Sequence, residues 1–132
     1  MPEETDPGVL AASMAAELAR GYTGDREVFL SLLVKALEPA LGERLRVQRA
    51  GGWFRRDGPI RRLDLDMDAQ RFTLGVGKGG ALAATRQRVV RGIALKTEEM
   101  SVEAWLQAVA AVLADYARTH QEALEALKRR VW

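Results

Sequence analysis

Apolar residues recur every three to four positions at both ends of this chain and every second position in its middle, and that change of period divides the sequence. Near the start, Val9, Leu10, Met14 and Leu18 keep the helical spacing, with Asp6 in a capping position before Pro7 and Gly21 closing the run. A second helix is predicted from Thr23-Gly24-Asp25. Its apolar stripe is Val28, Phe29, Leu32, Leu33, Ala36 and Leu37, and Pro39 and Gly42 end or kink it.

From Arg44 the period is two. Arg44-Leu45-Arg46-Val47-Gln48 alternates as a half-buried strand does. Trp53-Phe54-Arg55-Arg56, bracketed by Gly51-Gly52 and Asp57-Gly58-Pro59, reads as a loop or short strand. Arg62 to Asp68 is the cleanest alternation in the chain, and Gln70 to Val76 follows after almost no spacer, so the two predict a hairpin. Residues from Ala81 to Leu95 read as one or two further strands. Helical spacing then returns: Ser101 is the N-cap, and Val102, Trp105, Leu106, Val109, Leu113, Tyr116, His120, Leu124, Leu127 and Val131 form one stripe. Unbroken to Val131, that helix is about 45 Å long at 1.5 Å per residue, against a radius of gyration of about 14 Å for a domain of this length. A break near Thr119-His120-Gln121-Glu122, which fits a capping box, or an overhang packed on another chain resolves the mismatch.

The order predicts an α+β fold in a single domain over residues 1–132, with 1–6 flexible. It has two N-terminal helices, an antiparallel sheet of four to five strands and a long C-terminal helix, the helices on one sheet face. The other face then carries Arg44, Arg46, Arg62, Asp64, Asp66, Arg71, Arg86 and Arg88.

Charge sharpens this picture. Residues 43–96 hold 13 basic and 5 acidic side chains, whereas residues 1–42 hold 3 and 7, and residues 97–132 hold 4 and 6, so a basic centre lies between acidic ends. Cysteine is absent, which excludes disulfides, thiolate nucleophiles and cysteine-based zinc sites. No apolar run approaches a membrane span, and the acidic start Met1-Pro2-Glu3-Glu4 does not read as a signal peptide, so a cytoplasmic location is expected.

Three constellations invite chemistry. Gly75, Gly77 and Gly80 match G-x-G-x-x-G, but that pattern cradles a phosphate only between a strand and a helix. Here strand-like residues follow, and Gly77-Lys78-Gly79-Gly80 reads as a turn that uses positive φ. Asp64, Asp66 and Asp68 share one face of a strand, yet same-face positions lie nearly 7 Å apart, so cross-strand arginines are the expected partners rather than a metal. His120, the one histidine, falls on the apolar stripe with no G-x-S-x-G elbow anywhere to pair with.

No catalytic set, cofactor site or metal site is expected. The first functional expectation is a non-enzymatic interaction or adaptor module, homodimeric, that binds a protein partner. Its architecture loosely resembles the small dimeric adaptors of the secretion-chaperone type, an analogy of fold alone. The alternative is a nucleic-acid-binding accessory protein. Arg46, Arg55, Arg56, Arg61, Arg62, Arg86 and Arg88 would meet phosphates, and Trp53 would stack a base. The same residues are the candidates for partner contact.

Overall fold

The computed structural model describes residues 13–14, 16–17, 26–50, 58–67, 69–120 and 125. It is α+β with a five-stranded antiparallel sheet. The elements are α1 (Arg26–Leu41), β1 (Leu45–Arg49), β2 (Ile60–Met67), β3 (Gln70–Val76), β4 (Leu82–Val90), β5 (Ile93–Met100) and α2 (Val102–Thr119). The expected helix over Val9–Leu18 lies largely outside the described residues; Ser13, Met14, Ala16 and Glu17 within it are helical. The described architecture therefore has one N-terminal helix, α1, and one C-terminal helix, α2, where two and one were expected.

The chain divides into two compact units, Met1–Gly42 with Leu106–Trp132, and Glu43–Trp105. In the first, α1 buries Phe29, Leu33 and Leu37, one turn apart, with Leu30 beside them on the same stripe. Pro39 sits inside the helix, which runs on to Leu41 and stops at Gly42, whose φ of 56° supplies the left-handed residue that closes a helix. Along α2, Leu106, Val109, Ala110, Leu113, Ala114 and Ala117 are buried. The helix ends at Thr119, at the expected break. Among the described residues no helix is long and apolar enough to cross a membrane.

The second unit is a meander in which each strand pairs antiparallel with the next, in the order β1-β2-β3-β4-β5. The alternation of β2 becomes a two-faced sheet. Leu63, Leu65 and Met67 are buried on one face, opposite Leu74, Phe72 and Gln70 of β3. Asp64 and Asp66 lie on the other, opposite Thr73 and Arg71. The glycine stretch joins β3 to β4. Gly77 N–H donates to Ala81 O at 2.8 Å, and Gly79 and Gly80 take φ of 78° and 85°. A turn between antiparallel strands, with no helix following, is not the setting of a dinucleotide fingerprint. At the next turn Val90 pairs with Ile93 across Arg91-Gly92, both at positive φ (53° and 80°), the mirror-image geometry that matches strand twist.

Ser101 caps α2: its Oγ accepts from Ala104 N–H at 3.1 Å. That cap places Trp105 one turn in. Its side chain is fully buried, its ring meets Phe72 edge-on at 6.4 Å, and its indole N–H donates to Thr85 O at 3.2 Å. Trp105→Ala is expected to cost about 3–5 kcal/mol in chemical denaturation, the range for emptying a large aromatic site. Trp105→Phe, which keeps the edge contact and loses the hydrogen bond, should fall between that variant and the native chain.

Candidate interaction surfaces

The polar face of the sheet is laced by its own ion pairs. Asp66 receives two guanidinium groups, Arg71 Nε at 2.7 Å and Arg46 Nη2 at 3.1 Å. Asp64 accepts from Arg62 Nε at 3.1 Å and from Thr73 Oγ1 at 2.7 Å. Asp66 thus has the cross-strand arginine partners that the spacing suggested, whereas the arginine on Asp64 comes from its own strand. Asp68 lies outside the described residues. The Asp66 carboxylate also raises the proton affinity of the Arg71 guanidinium, through their hydrogen bond first and their opposite charges second. These groups are part-exposed, so each pair is worth at most about 1 kcal/mol.

The candidate binding residues do not form one patch. Arg46 and Arg62 sit on the polar face and are paired there. Arg86 and Arg88 were expected beside them, but they lie on the opposite face. Arg86 stands directly across from Phe72, and Arg88 from Gln70. Trp53, Arg55 and Arg56 lie outside the described residues. Arg61 occupies a β-bulge: Gln48 pairs with Arg62 and Arg49 with Ile60, which leaves Arg61 as the extra residue. The bulge turns Arg61 out of the alternation, so it lines, with Arg62 and Arg49, a shallow depression of about 520 Å³ floored by Thr73, Gly75 and Ala83. Arg49 Nη1 donates to Gly58 O at 2.9 Å, which ties that guanidinium to the backbone.

A surface that residue type did not advertise lies at the other end of the meander. β5 is an edge strand, and every residue from Ile93 to Glu99 is exposed. Val89 to Ala94 have no partner on β3, so the β4–β5 ribbon runs past its neighbour, held at that point by Val89 N–H donating to Ala69 O at 2.8 Å. Three large apolar side chains are exposed on it: Ile93 at 63%, Leu95 at 62% and Val90 at 42%. A second bulge falls here. Arg88 pairs with Lys96 and Val89 with Ala94, so Leu95 is the unpaired extra residue.

Along the regular part of β5, Arg86 Nη2 meets Glu98 Oε1 at 2.6 Å and Gln87 Nε2 donates to Thr97 Oγ1 at 3.0 Å. Arg88 and Lys96 face each other as like charges, an unfavourable cross-strand pair. Gln70, Arg86, Arg88, Lys96 and Glu98 border a concavity of about 310 Å³.

His120 is not on a buried stripe. It is exposed just beyond α2, stacked on Tyr116 at 3.8 Å, with Nδ1 at 2.8 Å from Tyr116 O, where it closes the helix end. The helix stops one residue before it, and that removes it from the apolar stripe.

Against family models, curated proteins and solved structures, the chain shows no match.

The Arg86 guanidinium, hydrogen-bonded to Glu98 and opposite in charge, holds that carboxyl below the usual glutamate range. A depressed carboxyl favours the fold above the ordinary glutamate range, and the benefit fades as pH falls through the depressed value. Carbon-detected NMR titration of Glu98 should therefore give a low midpoint in the native chain and a higher one in Arg86→Gln. Identical midpoints would remove Arg86 as the cause.

Proposed function

We propose that this chain is a non-enzymatic protein-interaction module whose contact surface is the β5 edge and the β4–β5 ribbon. The observation that carries this reading is the exposure of β5 along its length, together with Ile93, Leu95 and Val90 on the same ribbon. An edge strand offers a row of unpaired N–H and C=O groups to an incoming strand. Main-chain pairing of this kind gives affinity, and the flanking apolar side chains add area. On the polar face of the sheet, Arg46, Arg62 and Arg71 are engaged with Asp64 and Asp66 of the same sheet.

Nucleic-acid binding is the weaker reading. Arg46, Arg62 and Arg86, three of its candidate residues, already meet carboxylates of the same sheet. Guanidinium groups neutralised in this way release fewer counterions when they meet a phosphate backbone.

Ile93→Lys combined with Leu95→Glu tests the proposal. Both positions are exposed, so stability in urea should change by no more than about 0.5 kcal/mol. Cross-linking with mass spectrometry should map contacts of the native chain, with itself or another protein, to Val89–Met100, and the double variant should lose them. Contacts that map elsewhere, or that persist in the variant, would overturn the assignment of the surface.

A further inference from the structure

The identity of the strand that occupies this edge can be argued from charge; the inference rests on the reading of β5 as the contact edge. We infer that β5 pairs antiparallel with β5 of a second copy of this chain, centred on Thr97, and joins the two sheets into one.

Symmetry restricts the choices. Two identical strands related by a two-fold axis perpendicular to the sheet keep their faces, and residues directly opposite share a face. One residue must then stand opposite its own copy. The regular stretch of β5 runs from Lys96 to Met100, because the bulge at Leu95 interrupts the ladder before it. A centre on Lys96, Glu98 or Glu99 sets a charge against itself. A centre on Met100 runs the pairing into α2. Thr97 is the remaining centre, and it places Lys96 opposite the second copy's Glu98, twice by symmetry.

That register also answers what the isolated sheet leaves unbalanced. Lys96 stands across from Arg88, and among the described residues neither is within ion-pair distance of a carboxylate, although Lys96 acts on Glu98 of its own chain from a longer distance. Lys96 is exposed on the edge strand. Glu98 meets Arg86 through Oε1 and is about half exposed (52%), so a second cation can reach its carboxylate. The joined row reads Arg86, Glu98, then Lys96 and Arg88 of the second copy, with a carboxylate between cations on each side of the axis. On the other face the row is Gln87, Thr97, Thr97 and Gln87, extending the existing hydrogen bond.

Lysine and a bulge are also devices that guard an edge against pairing. A guard repels in every register. Lys96 and Glu98 alternate in sign two residues apart on one face, so they oppose the like-charged registers and favour one. They act as a register key.

Light scattering over a concentration series tests the inference through charge swaps. The native chain should reach twice the chain mass. Lys96→Glu sets glutamate against the second copy's Glu98, and Glu98→Lys sets lysine against the second copy's Lys96. Each should weaken self-association about tenfold or more, the effect of roughly 1.4 kcal/mol. Lys96→Glu also turns the clash with Arg88 into an attraction, so thermal melting should show it folded and no less stable than the native chain. Mixing the two variants restores opposite charges at both positions, and the mixture should return to twice the chain mass. A native chain at single mass throughout overturns the second-copy assignment and leaves the cross-linking test of the edge standing. Self-association unchanged in Lys96→Glu, or a mixture that stays at single mass, overturns the Thr97 register.

Discussion

The register between β2 and β3 is the constraint on which the sheet depends. Leu63 opposite Leu74 and Leu65 opposite Phe72 put four fully buried side chains on one face, and a slip of one residue would turn all of β2 to solvent. The same register places Asp64 against Thr73 and Asp66 against Arg71, so the polar face is sorted by the packing of the apolar one. β4 follows from β3, and β5 from β4, and the meander ends on an uncovered strand. Trp105 ties the start of α2 back to this arrangement through Phe72 and the Thr85 carbonyl.

Net charge by segment was a poor guide to available charge. Acids of the same sheet neutralise much of the basic centre: Asp66 lies between Arg46 and Arg71 across the strands, Asp64 meets Arg62 on its own strand, and Glu98, just beyond the basic segment, meets Arg86. Among the described residues of that centre, Arg61, pushed out by a bulge, Arg91 at the β4–β5 turn and the facing pair Arg88 and Lys96 meet no carboxylate. A count of arginines points to the polar face of β1 and β2, whereas pairing moves attention to β5.

Much of the fold was legible because local chemistry and global packing agree there. The β2–β3 hairpin, the Ser101 cap, the glycine turn and the helix end near Thr119 all stand where spacing and turn residues put them. The faces of β4 were not legible. Which way Arg86 and Arg88 point depends on how many residues the Gly77–Gly80 turn uses, and several glycines in a row leave that number open. The turn between β4 and β5 was hidden for a different reason. Arg91-Gly92 lacks the Asn-Gly or Asp-Gly signature, although Arg91 adopts positive φ all the same. The bulge at Arg61 shows only as a doubled polar position, Arg61-Arg62, at the start of β2, and the bulge at Leu95 falls among exposed residues whose burial does not alternate. The loop candidates Trp53, Arg55 and Arg56 lie outside the described residues, so the contribution of that segment rests on sequence alone.

If β5 is a pairing edge, the amides of its regular stretch that do not bond to β4 carry the evidence. Hydrogen exchange of individual amides across Ile93–Met100, followed as protein concentration rises, tests this most directly. Alternate amides from Lys96 to Met100, the ones directed away from β4, should become protected together with self-association, and Lys96→Glu should abolish the protection. Outward amides that exchange at unprotected rates at every concentration would contradict it.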